Sequence, residues 1–265
     1  MTEKFEHKKS LGQHFLNSDY VPKKMCDAGN IQKGDIVLEI GPGTGILTRE
    51  LLERGAEVVA VEADARAISS LEETFPEEIA RHQLTIHHHD ARKLNPSQFN
   101  LEKQGYKVVS NIPYYLSGLL FRSLLDTECQ PNTLVFLIQK EVAERIARDK
   151  KESLLSLSVK IFGNPTYICT VKRGHFTPPP KIDSAIVAVN EVGKQKLSSI
   201  TSEQFFNIIH LGFAQKRKQL LGNLSGEFPR PNLELIFQEL SLPLDIRAED
   251  IPLENWIKLT EKLYL

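Results

Sequence analysis

Short apolar segments alternate with amphipathic ones over the first two thirds of the chain. The apolar runs are rich in Val, Ile and Leu, which predicts buried strands, and the segments between them repeat apolar residues at helical spacing. The predicted strands are 36–40, 57–62, 84–89, 106–110, 133–138, 165–173 and 182–189. The predicted helices are 18–28, 46–54, 65–75 and 141–148. Strands that alternate with helices favour an α/β fold around a mostly parallel sheet of seven strands.

Strand patterns disappear near residue 193, and the remainder of the chain is predicted to be helical. The predicted helices there are 202–221, 232–240 and 252–263, with Pro243 marking a break. We therefore predict an α/β domain over residues 1–192 and a small all-helical domain over residues 193–265.

Two short basic stretches are candidates for contacts with nucleic acid. Lys8 and Lys9 lie in a polar N-terminal arm, which is either a frayed tail or a contact for phosphates. Lys216, Arg217 and Lys218 lie on the predicted helix 202–221 and are either a solvated helix face or a second such contact. Because the formal net charge of the 265 residues is -1, any affinity for RNA must come from such local patches.

The cysteines and the apolar runs indicate the cellular compartment. Cys26, Cys129 and Cys169 lie far apart and match no zinc or redox spacing, which fits a reduced, cytoplasmic protein. The charged N-terminal stretch has no apolar core of a secretory signal. No apolar run approaches the roughly 18 residues of a membrane span. We therefore expect a cytoplasmic protein that contacts no membrane.

Three glycines at alternate positions follow the first predicted strand. Gly41, Gly43 and Gly45 end the apolar run, and an amphipathic segment begins at Ile46. Glycine permits positive φ and lets a ligand approach the backbone closely. The dinucleotide pattern G-x-G-x-x-G is not met, because Ile46 occupies its sixth position. The observed spacing favours a nucleoside-type ligand without a diphosphate, as in S-adenosylmethionine enzymes; the alternative is a strand-to-helix turn that binds nothing.

Carboxylates follow the second and third predicted strands. Glu62 lies about twenty residues after Gly41, where an acidic side chain can accept hydrogen bonds from ribose hydroxyls; the alternative is a solvated turn residue. Asp90 follows the third strand and could accept the amino group of an adenine. The adjacent histidines 87–89 invite a metal interpretation, but only His87 and His89 share a face of a strand, and no second ligand cluster supports them. We therefore expect no metal.

The fourth predicted strand runs into Asn111-Ile112-Pro113-Tyr114. The side-chain carbonyl of Asn111 and the backbone carbonyl of Ile112 could both accept hydrogen bonds from one exocyclic amine. Pro113 makes the turn rigid, and Tyr114 offers a ring face on which a purine can stack. The alternative is a strand that ends in an Asn-x-Pro turn with no catalytic role. Phe176 lies in the stretch 174–181, whose three prolines predict a stiff loop. It is either plain core or flanks a flipped-out base opposite Tyr114.

Together these motifs resemble the rRNA adenine dimethyltransferases of the KsgA type, a family related to the Erm resistance methylases. The resemblance rests on SLGQHFLNS, VLEIGPGTGILT, Glu62, HDA with Asp90, SNIPYYLSG, HFTPPPKIDSAIV and GFAQKRKQLLGNL, roughly residues 8 to 225. It implies a Rossmann-like class I S-adenosylmethionine methyltransferase fold with a helical C-terminal domain that binds rRNA. The chain has His14 where Asn is common in the family, and Tyr115 where some members have Asn.

The resemblance also implies roles for individual residues. The cofactor S-adenosylmethionine is expected to contact Gln13, His14, Leu16, Gly41, Gly43, Gly45, Glu62, Asp90 and Asn111. The target adenine is expected to contact Asn111, Ile112, Pro113, Tyr114 and Phe176. RNA outside the pocket is expected to contact Lys8, Lys9, Lys216, Arg217 and Lys218.

The implied activity is dimethylation of the exocyclic amines of two adjacent adenosines near the 3′ end of small-subunit (16S) rRNA. The expected partner is this rRNA within an immature small ribosomal subunit, and the expected oligomeric state is a monomer. One alternative is an Erm-type methylase of large-subunit rRNA. A second is a non-catalytic ribosome-assembly or transcription factor on the same fold. A small-molecule methyltransferase is disfavoured by the basic arm and the helical domain.

Overall fold

The computed structural model describes residues 14–264, which form a sheet flanked by helices. The strands are β1 (Phe15–Leu16), β2 (Ile36–Ile40), β3 (Glu57–Glu62), β4 (Leu84–His88), β5 (Lys107–Asn111), β6 (Thr133–Gln139), β7 (Asn164–Val171), β8 (Phe176–Thr177) and β9 (Ser184–Asn190). The helices are α1 (Tyr20–Ala28), α2 (Ile46–Glu53), α3 (Ala65–Thr74), α4 (Pro76–Ala80), α5 (Ser117–Leu125), α6 (Lys140–Ala147), α7 (Leu154–Lys160), α8 (Ser202–Gly212), α9 (Leu220–Leu224), α10 (Arg230–Glu239) and α11 (Leu253–Tyr264). Seven strands form one sheet in the order β4-β3-β2-β5-β6-β9-β7, and β1 pairs with β8 separately. The predicted α/β fold with a mostly parallel sheet is confirmed.

Five strands of the sheet run parallel, so their carboxyl ends meet at one edge. The central strand β2 pairs Leu38 with Val59 of β3 on one side and with Val108 of β5 on the other. From β2 the chain proceeds through β3 and β4 to one end of the sheet, and it then returns to β5 on the opposite side of β2. This reversal leaves a crevice beyond the ends of β2 and β5, where open α/β sheets bind their ligands.

The strand β9 lies between β6 and β7 and is antiparallel to both. Because of this direction, its first residue, Ser184, pairs with Gln139 at the carboxyl end of β6. Ser184 therefore lies at the same edge as the ends of the parallel strands, where it can reach the crevice.

The apolar core continues from the sheet into the C-terminal helices. One cluster of buried side chains joins Leu134 and Val187 of the sheet with Phe205 of α8 and Trp256 of α11. A second cluster, which includes Val37 and Leu51, packs helices on the other face. The helices after β9 thus pack directly against the rest of the fold, and the division at residues 192 and 193 stays a prediction. Within residues 14–264, no helix is long and apolar enough to cross a membrane.

The prediction of one helix over 202–221 is wrong, because α8 ends at Gly212. A Cβ on Gly212 would lie 2.4 Å from the Trp256 ring, and Phe213 stacks on the same ring at 5.7 Å between centroids. The Asn223 amide then donates to the carbonyl of Gly212 at 2.6 Å and closes the end of the helix. The basic cluster 216–218 consequently lies in an exposed loop between α8 and α9, and it is not on a helix face.

The three prolines of the stretch 174–181 predicted a loop, but part of this stretch is a strand. Phe176 and Thr177 form β8, which pairs antiparallel with β1, so that Phe15 lies opposite Thr177 and Leu16 opposite Phe176. The three prolines 178–180 follow this strand and therefore remove no donor from its ladder.

The helices α4, α5 and α7 were not predicted. α4 begins at Pro76, the residue after the predicted helix 65–75; proline is favoured at the first helical position because its missing N–H needs no partner there. α7 begins with a capping box, in which the Ser153 hydroxyl accepts a hydrogen bond from the Ser156 amide at 3.1 Å. α5 begins three residues after the Asn111–Tyr114 motif, and the hydroxyl of its first residue, Ser117, donates to the Tyr114 carbonyl at 2.8 Å.

Candidate active site

The glycine turn after β2 has the backbone conformation that its spacing predicts. Gly41, Gly43 and Gly45 have φ values of 68°, 57° and 78°, in the left-handed region that favours glycine. A Cβ on Gly43 would also lie 2.7 Å from the Phe15 ring. The turn therefore requires glycine both for its conformation and for its close packing against β1.

Glu62 ends β3 and is held by the backbone around it. Its Oε1 accepts hydrogen bonds from the amides of Ala63 at 2.8 Å and Asp64 at 2.9 Å, and its Oε2 accepts from the amide of Gly43 at 3.3 Å. The residue is only 7% exposed. A carboxylate offers about four acceptor positions, so roughly one remains available on Oε2 for a hydroxyl donor. Glu62 thus both fixes the glycine turn and offers an oriented acceptor beside it.

Asp90 lies beyond β4 and is ionised at neutral pH. The Arg92 guanidinium donates to its carboxylate at 2.6 Å, and the Arg92 amide donates at 2.9 Å. These contacts hold the pKa of Asp90 at about 2. A fixed carboxylate at this position can accept a hydrogen bond from an amino group.

The three adjacent histidines do not converge. His87 and His89 both pack against the ring of Phe99, with centroids 4.8 and 5.5 Å away. The His88 ring instead lies 3.2 Å from the carbonyl of Ala63, on the other side of the strand. Among the residues that the structure describes, no three His, Cys, Asp or Glu side chains group as metal ligands.

Asn111 is the last residue of β5, and its side-chain amide is oriented by the residue that precedes β1. Its Nδ2 donates to the backbone carbonyl of His14 at 3.2 Å, which leaves its Oδ1 available as an acceptor. The preceding Ser110 hydroxyl accepts from the amide of Ile40 at 2.8 Å and ties the end of β5 to β2. The catalytic candidate therefore sits on a rigid strand end that two neighbouring segments hold.

Tyr114 is anchored by β9. Its hydroxyl lies 2.6 Å from the Ser184 hydroxyl. Burial raises the pKa of Tyr114, and the Ser184 hydrogen bond opposes that shift. The ring of His14 is nearly parallel to that of Tyr114, at 6.0 Å and 26°, and its Nδ1 donates to the Pro178 carbonyl at 2.8 Å. The ring of Tyr114 is thus neutral and fixed at one wall of the crevice.

One cavity of about 400 Å³ joins most of these groups. Of the predicted site residues it is lined by His14, Gly41, Gly43, Glu62, Asp90, Asn111, Ile112, Pro113 and Tyr114. The lining also includes residues that were not predicted site residues, among them Phe15, Arg92 and Tyr115. Phe15 adjoins His14 and Tyr115 adjoins Tyr114, so each carried a signal as the neighbour of a candidate.

Other predicted site residues lie elsewhere. Leu16 and Phe176 pair across β1 and β8 and are 5% and 2% exposed, within the core and outside the cavity lining. The Phe176 side chain is buried in a core cluster, and its role beside a flipped-out base stays a prediction. Gly45 shapes the turn but does not line the cavity. Lys8, Lys9 and Gln13 lie outside the described residues.

The fold and this cavity define a Rossmann-like S-adenosylmethionine-dependent methyltransferase. Bare backbone at the glycine turn, the oriented carboxylate of Glu62 and the ionised carboxylate of Asp90 fit the nucleoside part of that cofactor. Residues 4–264 match the family model described as Ribosomal RNA adenine dimethylase. The chain belongs to this family and is an rRNA adenine dimethyltransferase.

Individual relatives cover nearly the whole chain. It is 35% identical over 255 residues to the Ribosomal RNA small subunit methyltransferase A of Dehalococcoides mccartyi, which covers 95% of this chain and 87% of the relative. It is 33% identical over 264 residues to the protein of the same name from Clostridium botulinum, with 98% and 95% covered. A dimethyladenosine transferase from Plasmodium falciparum superposes with a TM-score of 0.77 at 27% identity, with 93% and 96% covered. The 23S rRNA methyltransferase ErmE, at 24% identity, TM-score 0.76 and coverage of 95% and 100%, shares the fold.

Replacing Glu62 with alanine is expected to weaken binding of S-adenosylmethionine about tenfold or more, since a hydrogen bond to a charged group contributes about 1.5–3 kcal/mol. Calorimetric titration of the cofactor measures the change. Glu57→Ala, at the exposed start of the same strand, is the matched control. Unchanged affinity in Glu62→Ala would remove the cofactor assignment and leave Glu62 as a support for the glycine turn alone.

Proposed function

We propose that this enzyme dimethylates the exocyclic amines of two adjacent adenosines near the 3′ end of small-subunit rRNA. In this proposal it acts in the cytoplasm, as a monomer, on an immature small subunit. The observation that carries the proposal is that the Asn111–Tyr114 motif and the two carboxylates Glu62 and Asp90 border one cavity. The small-subunit specificity is supported by the names of the relatives, which cover nearly the whole chain.

The cofactor would be held along the carboxyl ends of β2, β3 and β4. Glu62 would accept from the ribose, Asp90 from the adenine amino group, and the turn at Gly41 and Gly43 would let the cofactor approach the backbone. S-adenosylmethionine supplies an electrophilic methyl group on a sulfonium when it is bound. The chain itself needs to align an amine with that group and to stabilise the charge that develops on the amine.

Two carbonyl oxygens would stabilise the attacking nitrogen. The lone pair of an adenine amine is delocalised into the ring, which makes the amine a poor nucleophile. Acceptance of its hydrogens by Asn111 Oδ1 and the Ile112 carbonyl favours a more tetrahedral nitrogen and the positive charge that forms there. Because the Asn111 amide is already engaged by His14, its carbonyl is oriented before the base arrives. No strong general base is required, because the nitrogen becomes acidic once it is methylated.

Tyr114 would hold the flipped base by stacking. Pro113 fixes the start of the turn, and the Ser184 hydrogen bond fixes the far end of the Tyr114 side chain. The ring therefore has little freedom to move when a base is bound, and positioning of this kind supplies a large share of catalysis. A second methylation requires that the same wall accept a monomethylated amine.

The test is to supply undermethylated small and large subunits with labelled cofactor and to map the modified adenosines. Modification of two adjacent adenosines near the 3′ end of the small-subunit RNA is the expected result, and Asn111→Ala is the inactive control. Labelling of the large subunit alone would favour the Erm-type alternative. If the protein methylates neither subunit but still supports subunit maturation, the alternative of a non-catalytic assembly factor would be favoured.

Charge reversal in the loop between α8 and α9 is expected to weaken binding of the small subunit. Lys216, Arg217 and Lys218 are all exposed, so they can reach phosphates without first losing a protein partner. Replacing all three with glutamate should make the negative slope of log affinity against log salt shallower by up to about 2, if each contacts one phosphate. Filter binding at several salt concentrations measures it.

The matched control reverses three other exposed lysines, Lys33, Lys103 and Lys258, and produces the same change of net charge. Equal losses in the two triple variants would show that overall charge, and not this loop, determines the affinity.

A further inference from the structure

Tyr115 lines the mouth of the cavity, and Leu119, four residues further along the chain, is also an exposed apolar residue. Tyr115 is 66% exposed and Leu119 is 44% exposed. Gly118 lies between them in sequence, is also exposed, and has open space where a Cβ would be. We call Tyr115, Gly118 and Leu119 the rim surface. Large apolar side chains are placed in solvent here although their neighbours Leu116 and Leu120 are buried.

The local backbone explains why the Tyr115 ring points outward. Residues 114–116 form one 3₁₀ turn, in which successive side chains are about 120° apart. Leu116 turns into the core, and Tyr114 turns towards Ser184. The Tyr115 side chain points in the third direction, towards solvent, and it also lines the cavity. Its position therefore follows from the same rigid turn that orients Tyr114.

A cationic side chain borders the same mouth. The 3₁₀ turn 91–93 packs against α5, and Arg92 lines the cavity together with Tyr115. The Arg92 side chain is 69% exposed, although its guanidinium is also paired with Asp90. An exposed aromatic face beside an arginine is the combination that binds single-stranded nucleic acid, since the ring stacks a base and the cation attracts the phosphate.

We propose that Tyr115 stacks the base of the nucleotide adjacent to the target adenosine. This inference rests on the proposed function, because it requires an RNA substrate whose target base lies against Tyr114. Tyr114 and Tyr115 line the same cavity, and Tyr115 is exposed at its mouth. A base on the Tyr115 ring would therefore belong to a nucleotide close in sequence to the one in the pocket. Tyr115 is then a positioning residue that holds the RNA strand on the rim surface, outside the reacting atoms.

The first test compares Tyr115→Ala with Tyr115→Phe on undermethylated small subunits. Loss of one base–aromatic stack should raise the KM for RNA roughly ten- to hundredfold, with kcat and the Kd of the cofactor little changed. The phenylalanine variant keeps the ring and should retain the KM of the unaltered enzyme. Leu235→Ala removes an apolar side chain that is 61% exposed on α10, and it should also leave the KM unchanged.

The second test removes the base from the substrate. Small subunits reconstituted with an abasic nucleotide beside the target adenosine should show the same rise in KM with the unaltered enzyme. They should show no further rise with Tyr115→Ala, because both changes remove one and the same contact.

An unchanged KM in Tyr115→Ala would overturn the inference and leave the proposed function intact. So would a further rise in KM when Tyr115→Ala acts on the abasic substrate, because the two changes would then remove separate contacts. A weaker Kd for the cofactor with an unchanged KM for RNA would overturn it in favour of a cofactor contact. No transfer by the unaltered enzyme to any small subunit would overturn the proposed function, and this inference with it.

Discussion

Tyr114→Ala is expected to slow methyl transfer on the order of 100-fold or more while S-adenosylmethionine still binds. The ring forms the wall against which the target base would stack, and misplacement of a reacting group by about 1 Å can cost that much in rate. The cofactor contacts assigned to Glu62, at the end of β3, and Asp90, beyond the end of β4, are left in place. Single-turnover transfer to undermethylated small subunits measures the rate, and calorimetry measures the cofactor affinity.

Tyr114→Phe separates the ring from its hydroxyl. It keeps the stacking face and loses only the 2.6 Å contact with Ser184, which is completely buried and would then lack this partner. A loss of about 1–3 kcal/mol in unfolding free energy is expected, with most of the transfer rate retained. Near-normal transfer by Tyr114→Ala would contradict the stacking role, and equal losses in both variants would assign the effect to the hydroxyl.

Local features of the sequence sufficed to predict the strands of the sheet and to point to the candidate cofactor residues at their ends. The inner strands β2, β3, β5, β6 and β9 are mostly buried apolar runs, because helices cover both of their faces, whereas the edge strands β4 and β7 are only partly buried. The turn at Gly41 and the carboxylates of Glu62 and Asp90 follow directly from strand ends, so their positions are fixed once the strands are known. The resemblance to a known family added the roles of these residues, and the cavity shows that most of them share one space.

Features that depend on contacts distant in sequence could not be predicted. At the end of α8, the Asn223 side chain takes the Gly212 carbonyl that a longer helix would bond, and Phe213 stacks on Trp256. The apolar periodicity of residues 202–221 contains no sign of either contact. The same limit applies to Phe176, whose burial depends on pairing with Leu16, about 160 residues earlier.

The buried carboxyl of Glu39 is a further feature that the sequence did not reveal. It lies within the apolar run of β2, is 1% exposed, and accepts a hydrogen bond from the Thr48 hydroxyl at 2.7 Å. Burial raises its pKa to about 8; the Thr48 bond opposes this shift and the charge of Glu62 adds to it. Glu39 is therefore largely protonated at pH 7. It lies in β2 just before the glycine turn, which Glu62, the carboxylate assigned to the cofactor, contacts through the amide of Gly43.

Glu39→Gln is expected to make the protein's stability less dependent on pH. The folded state holds the Glu39 proton more tightly than the unfolded chain does. The stability that this proton contributes is therefore fully present below about pH 4.5, and it is lost as the pH rises through about 8. The unfolding free energy of the unaltered protein should fall relative to Glu39→Gln by up to about 1.4 kcal/mol per pH unit across that interval. Urea denaturation between pH 5 and pH 9 measures both curves, with the exposed Glu57→Gln as the matched control. Parallel curves for Glu39→Gln and the unaltered protein would show that Glu39 is ionised throughout, despite its burial.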